Sequence, residues 1–164
     1  MKYALLYIFT VVLVNCAFDL VPLLTLPGGE QWSPVALAVG FVFVIRDYAQ
    51  REIGHYVLPA MLLGGGISWL MATPEIALAS MYAFLIGELL DWAVYTFTGR
   101  PFSQRVLLSS ALSTPVDSAV FLAMIGLFSF SAVLVMTLSK MAGALIVFFL
   151  ARRRELLTQH AGTL

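Results

Sequence analysis

The sequence predicts an all-α integral membrane protein, a bundle of about six transmembrane helices with the N-terminus and the C-terminus in the cytoplasm. Composition is the first observation, since 61 % of the 164 residues are hydrophobic and 11 % are charged. Globular domains average roughly 45–50 % apolar and about 25 % charged residues. A soluble domain of this length could not bury so much apolar surface, so we expect one transmembrane domain over residues 1–164.

The second observation is a series of apolar segments with turn residues between them. A helix that crosses the roughly 30 Å hydrocarbon core needs about 20 mainly apolar residues. We predict spans over about residues 3–21, 32–50, 56–73, 76–97, 106–127 and 131–150. The first segment could instead be a signal peptide. Because Asn15, Asp19 and Pro22 interrupt it and no small-residue cleavage site follows, we interpret it as a retained helix.

The second span is the weakest, since its apolar run ends at Ile45 and a polar segment follows. If the helix continues, Asp47 and Arg51 are spaced i, i+4, where they can form an ion pair. Gly54 would then end the helix.

The third observation is the distribution of positive charge. Eight of the nine lysines and arginines fall on one side of a six-span arrangement. They are Lys2, Arg46, Arg51, Arg100, Arg105, Arg152, Arg153 and Arg154. The connections on the other side, at residues 22–31, 73–75 and 127–130, contain neither lysine nor arginine. The positive-inside rule assigns the basic side to the cytoplasm.

Four ionisable residues lie within the predicted spans, at Glu88, Asp91, Asp117 and Lys140. A charge at the centre of a membrane helix costs about 2.5–3.5 kcal/mol, so these side chains should face the bundle interior. Asp117 and Lys140 lie about halfway along neighbouring spans and can pair. Glu88 and Asp91, spaced i, i+3, share one helix face and repel each other. They need a cation, a proton or a ligand rich in hydrogen-bond donors.

A polar stripe runs along the fifth predicted span beside Pro115, which frees the carbonyl of Ala111 from its helical hydrogen bond. This combination suits a ligand cavity near the membrane midplane. Alternatively, the hydroxyls only hold neighbouring helices together. The stripe comprises Ser110, Ser113, Thr114, Asp117 and Phe121.

Five features occur in order between residues 15 and 145. They are Asn15, an acid-bearing segment Arg46–Gly54, the segment Gly87–Asp91, a serine-rich segment Ser109–Phe121 and Lys140. In this order and spacing the chain resembles the queuosine precursor transporters, also called the vitamin uptake transporter family. The chain is shorter than typical members, and Glu88 stands where glutamine is common.

The resemblance implies uptake of 7-cyano-7-deazaguanine or a related 7-deazapurine across the cytoplasmic (inner) membrane. Carboxylates can accept the N–H and amino groups of a guanine-like edge, and aromatic rings can stack on the flat base. The expected acceptors are Glu88 and Asp91, with Asp117, Asn15 and the hydroxyls as further polar contacts. Tyr95 and Phe121 are the stacking candidates, and Lys140 would balance charge.

The sequence contains no phosphate-binding loop of the G-x-x-x-x-G-K-[ST] type. Uptake would then depend on a gradient, on trapping of the solute or on a separate energising partner, and a homo-oligomer is an open alternative. We expect no cofactor, metal or nucleic-acid partner. Two other functions stay open, an accessory subunit of a membrane complex and an intramembrane enzyme. The second lacks an obvious catalytic set, since His55 and His160 are both predicted near the cytoplasmic surface.

Overall fold

The computed structural model describes residues 1–25, 29, 31–71 and 74–161, and in that part the chain forms six α-helices. They are α1 (Lys2–Leu20), α2 (Val35–Ile53), α3 (Val57–Met71), α4 (Pro74–Phe97), α5 (Phe102–Met124) and α6 (Phe130–Ala161). A short 3₁₀ turn, Gly54–Tyr56, joins α2 to α3. Parts of two predicted connections, residues 26–28 and 30 of the first and residue 73 of the second, lie outside the described residues, as do the side chains of Asp19 and His160.

A small hairpin that was not predicted connects α1 to α2. Its strands are β1 (Leu24–Thr25) and β2 (Gln31–Trp32), which pair antiparallel with Leu24 opposite Trp32. The Trp32 indole N–H donates to the Ser139 hydroxyl at 2.8 Å, so the hairpin is attached to α6.

Four helical stretches of the described chain are long and apolar enough to cross a membrane. They are Val35–Met71, which contains both α2 and α3, and then Leu78–Phe97, Phe102–Met124 and Phe130–Leu157. The shorter apolar stretch Lys2–Phe18 belongs to α1. These are the features of a helical membrane protein that crosses the bilayer several times.

Two helix ends differ clearly from the prediction. α5 begins at Phe102, directly after Pro101, whereas the predicted span began at residue 106. α6 continues to Ala161, past the predicted end at residue 150. Residues 151–161 contain neither glycine nor proline, and arginine, glutamate and leucine are strong helix formers, so nothing in them ends the helix. The predicted stop at Gly54 is confirmed by its φ of 59°.

Polar side chains lie inside the bundle and large apolar side chains lie outside it. Arg46, Asp47, Glu88 and Asp91 have 0 % exposure. The exposed residues include Leu5, Phe9, Leu62, Leu70, Leu138 and Phe149. This arrangement is the reverse of a water-soluble core and matches a bundle whose surroundings are lipid.

The helices pack in a closed ring, in the order α1, α2, α6, α5, α4, α3 and back to α1. α2 also contacts α3, α4 and α5 across the ring. Glycines allow close approach, because a Cβ on Gly143 would lie 2.9 Å from the backbone of Gly40, and one on Gly40 would overlap the backbone of Lys140. α2 is thereby held where its polar side chains meet those of α4 and α5.

One end of the bundle collects most of the basic residues, and we call it the basic end. Here Glu52, in the last turn of α2, accepts from the backbone nitrogens of Lys2 at 3.1 Å and Tyr3 at 2.9 Å. Glu155 of α6 accepts from the Ser103 backbone N–H at 3.1 Å and its hydroxyl at 2.7 Å, near the start of α5. The starts of α1 and α5 and the last turns of α2 and α6 therefore meet at the basic end.

Candidate functional site

The buried centre of the bundle is the guanidinium of Arg46, which is surrounded by three carboxyl groups. Its Nε lies 3.1 Å from Glu88 Oε2, and one terminal nitrogen lies 3.0 Å from Asp47 Oδ1. The other terminal nitrogen contacts Asp91 Oδ2. Gln50 Oε1 accepts from the first terminal nitrogen at 2.6 Å. We call Arg46, Asp47, Glu88 and Asp91 the arginine cluster.

Helical spacing explains why these residues converge. Arg46 and Gln50 are spaced i, i+4 on α2, and Glu88 and Asp91 are spaced i, i+3 on α4, so each pair shares a face. The contact of α2 with α4 across the ring brings the two faces together. The cation that the two acids on α4 require is therefore supplied by the protein itself.

The serine-rich face of α5 closes the cluster. The Ser109 hydroxyl donates to Asp47 Oδ2 at 3.3 Å, and the Ser113 hydroxyl donates to Asp91 Oδ1 at 3.4 Å. The Thr114 hydroxyl instead donates to the backbone carbonyl of Ser110 at 2.8 Å. Within the described residues the Ser110 hydroxyl oxygen is buried and has no hydrogen-bond partner. Some hydroxyls of α5 thus donate to the acids of the cluster, whereas that of Thr114 donates to the backbone of its own helix.

A second ion pair lies next to the arginine cluster. The Lys140 ammonium contacts Asp117 Oδ2, with side-chain exposures of 5 % and 8 %, and this is the pairing that counting along the spans predicted. A Cβ on Gly87 would lie 2.7 Å from the Asp117 Cβ, so α4 and α5 are in close contact here. Since Gly87 directly precedes Glu88, the two groups form one continuous polar seam.

Negative charge is in surplus in the arginine cluster, which has three carboxyl groups and one guanidinium. Glu88 Oε1 has no hydrogen-bond partner among the described residues. The fully buried Tyr7 hydroxyl faces this carboxyl group and has no other hydrogen-bond partner among the described residues, so it can donate to Glu88 when no solute is bound. No group of three or more metal-ligating side chains occurs in the part of the chain that the structure describes. The free carboxylate oxygen can accept a proton or an N–H donor from a solute.

The predicted pairing of Asp47 with Arg51 is wrong. Asp47 is fully buried and pairs with Arg46, whereas the Arg51 guanidinium lies over the Phe102 ring at 4.9 Å from its centroid. Arg51 is in the last turn of α2, where its long side chain reaches the exposed surface instead of turning back into the bundle.

Three other predicted site residues lie apart from the arginine cluster or make no recorded contact with it. Asn15 donates to Ser68 Oγ at 3.2 Å, which joins α1 to α3. Tyr95 is buried, but its ring packs 6.2 Å from that of Phe102, near the basic end. Phe121 is half-buried on α5, one turn beyond Asp117. Each stacking candidate lies one helical turn from an acid of the polar seam, Phe121 from Asp117 and Tyr95 from Asp91.

Arg46, Tyr7 and Ser109 are parts of the site that were not predicted from the sequence. Arg46 was assigned to the cytoplasmic flank because it follows the apolar run of the second span. The sequence did contain a signal for Arg46. Two acids on one face of α4 need a cation, and the polar continuation of α2 contains Arg46. Tyr7 lies in an apolar helix, and nothing in its neighbourhood along the chain distinguishes it.

Comparison with known proteins gives one match. No curated protein and no solved structure matches the chain. A family model described as "putative vitamin uptake transporter" matches residues 3–152, which include all six helices in whole or in part. The resemblance drawn from Asn15, Arg46–Gly54, Gly87–Asp91, Ser109–Phe121 and Lys140 is thereby confirmed at the level of the family. The chain belongs to the vitamin uptake transporter family.

Proposed function

We propose that this protein imports a queuosine precursor, 7-cyano-7-deazaguanine or a related 7-deazapurine, into the cytoplasm. Membership of the vitamin uptake transporter family supports uptake of a small solute. The observation that supports this substrate class is the free Oε1 of Glu88, buried beside two further carboxyl groups. Ionised carboxylates accept hydrogen bonds and donate none, so a group of them suits a solute that presents several N–H groups.

The arrangement in the membrane is part of this proposal. Six spans, with the N-terminus and the C-terminus at the cytoplasmic face of the inner membrane, agree with the closed ring of six helices. They also agree with the basic end, where the start of α1 and the last turns of α2 and α6 lie together. Positive residues concentrate on the cytoplasmic side of membrane proteins, which assigns the basic end to the cytoplasm.

The edge of a deazaguanine carries a ring N–H and an amino group side by side. Glu88 would accept one of these donors through Oε1, and Asp91 would accept the other in place of the long 3.4 Å contact from Ser113. Asp117 and the partnerless Ser110 hydroxyl would give further polar contacts along α5. Phe121 would stack on the base from the same helix face.

Access to the arginine cluster requires movement, because its four side chains have no exposed surface. α4 and α5 carry the proposed acceptors and stacking ring, whereas α2 carries the guanidinium. Separation of α2 from the α4–α5 pair would open the seam, and the glycine contact between Gly40 and Gly143 is where α2 is held to α6. The source of energy, a gradient, trapping or a partner protein, is a separate question.

The test is uptake of labelled 7-cyano-7-deazaguanine by cells that cannot make it, with tRNA queuosine as a second readout. Glu88→Ala and Asp91→Ala should each lower uptake by at least about tenfold, since each removes a charged acceptor. Glu52→Ala is the matched control, because this acid lies at the basic end, where it contacts the N-terminal ammonium and the backbone nitrogens of Lys2 and Tyr3 in the described structure. Cells with the unaltered protein that take up no more base than empty cells would overturn the proposal.

Binding by the purified protein separates transport from the accessory-subunit alternative. An importer should bind the labelled base with saturation, and Glu88→Ala should weaken that binding. An unaltered protein that inserts in the membrane but neither binds nor transports the base would favour the accessory role.

A further inference from the structure

At the basic end, outside the arginine cluster, three arginines and two aromatic rings line a cavity of about 220 Å³. The lining residues are Arg51, Tyr95, Arg100, Phe102 and Arg105. Pockets that enclose a drug-sized ligand measure roughly 300–1,000 Å³. This cavity therefore fits a small charged group, such as a headgroup, with the rest of the ligand outside.

None of the three guanidinium groups forms an ion pair among the described residues, and that of Arg100 donates to Gln104 Oε1 at 3.4 Å. Arg51 lies over the Phe102 ring at 4.9 Å, and Arg105 lies over the Tyr95 ring at 5.5 Å. Arg105 Nε donates to the backbone carbonyl of Arg100 at 2.5 Å. Rings and a carbonyl orient a guanidinium but leave its positive charge uncompensated, so its remaining N–H groups stay available for an anion.

Acids near this cavity already hold other groups, and Asp47 is paired with Arg46. Glu52, next to Arg51 in sequence, lies 2.6 Å from the backbone nitrogen of Met1 and accepts from the two residues that follow. Glu155 caps the start of α5 through Ser103. Arg51, Arg100 and Arg105 therefore form a locally positive surface, with no carboxylate paired to them among the described residues.

We propose that this cavity binds the phosphate group of an anionic phosphate ester, presented by a phospholipid headgroup at the membrane surface. Arginine forks match the oxygens of phosphate in pairs, and basic pockets between membrane helices on the cytoplasmic side suit anionic headgroups. Phe97, the last residue of α4 and two residues beyond the cavity-lining Tyr95, is 80 % exposed. An exposed aromatic ring at a helix end is typical of the lipid interface, and this favours a lipid over a soluble ester as the source.

The experiment measures retention of dioleoylphosphatidylglycerol by the purified full-length protein, using native mass spectrometry after delipidation. The unaltered protein should retain this lipid in preference to dioleoylphosphatidylcholine. Arg100→Ala/Arg105→Ala should weaken retention by at least about tenfold. Arg152→Ala/Arg153→Ala is the control, since both arginines are exposed and lie near the basic end but do not line the cavity. Arg51→Ala is a second variant in case the double change impairs folding.

Glycerol 3-phosphate and inorganic phosphate distinguish the two sources of the phosphate group. If neither compound displaces the lipid at millimolar concentration, the result supports a phospholipid headgroup as the ligand. Displacement by glycerol 3-phosphate supports the phosphate chemistry and assigns the cavity to a soluble ester. Equal loss of lipid in the cavity variants and in the control, or no preference for the anionic lipid, overturns the proposal. Neither readout depends on uptake, so failure here leaves the proposed transport function unaffected.

Discussion

The arginine cluster predicts an asymmetry between its members. Arg46 is the one cation among three buried carboxyl groups, so Arg46→Met leaves all three without compensation. Removal of one partner from a buried ion pair costs about 3–5 kcal/mol, and we expect a loss of at least this size in the free energy of unfolding. Asp91→Asn still leaves Arg46 with Asp47 and Glu88 and lowers the surplus of negative charge. The loss in the free energy of unfolding should then be about 1 kcal/mol, the contribution of one ordinary hydrogen bond.

Thermal unfolding in detergent, followed by size-exclusion chromatography after heating, measures this difference. One kcal/mol corresponds to about 2–4 °C in the midpoint for a chain of this size, so Arg46→Met should lower it by about 6–20 °C. Arg152→Met, which changes an exposed arginine, is the matched control and should have almost no effect. The double variant Arg46→Met/Asp91→Asn should recover part of the loss, because one uncompensated charge is gone. The reasoning is refuted if Arg46→Met is as stable as the unaltered protein, or if Asp91→Asn is the more damaging single change.

Two further predictions concern the helix contacts around the polar seam. Gly40→Ala places a Cβ against the Lys140 backbone and should cost about 1–3 kcal/mol or more through forced separation of α2 from α6, whereas Gly66→Ala, with open space around its Cβ, should not; equal midpoints for the two variants would contradict this. Lys140→Met leaves Asp117 buried and unpaired, so it should lower expression and the unfolding midpoint more than affinity for the base, and adding Asp117→Asn should restore the midpoint. A Lys140→Met protein of normal stability that no longer binds the base would show instead that the lysine contacts the solute.

The sequence predicted the helical membrane fold because the signals for it are local. Apolar runs, turn residues and the Gly54 stop depend on neighbours along the chain, and each can be read without the fold. Depth was predictable too, since counting along neighbouring spans brought Asp117 and Lys140 together. Which side chains on opposite helices of the ring pair with each other was not predictable in this way. Close glycine contacts occur where α2 crosses α6, α3 crosses α4 and α4 crosses α5. Only the assembled ring, in which α2 also contacts α4, reveals that Arg46 points at Glu88 and Asp91.

The surplus of carboxyl groups over guanidinium groups in the arginine cluster links the structure to the proposed transport. A cluster that served stability alone would be best with matched charges or with apolar residues, since buried ion pairs seldom repay their desolvation. This cluster instead keeps three carboxyl groups around one guanidinium, and in the described part of the chain Glu88 Oε1 has no hydrogen-bond partner. In the proposed transport, a donor-rich solute would bind Glu88 Oε1 and Asp91 Oδ1, whereas Arg46 contacts the other oxygen of each carboxyl group. Because the solute would share the negative charge of these two carboxyl groups with Arg46, its binding would weaken the contact between α2 and α4. Binding of such a solute would then favour the separation of α2 from α4 that opens the bundle.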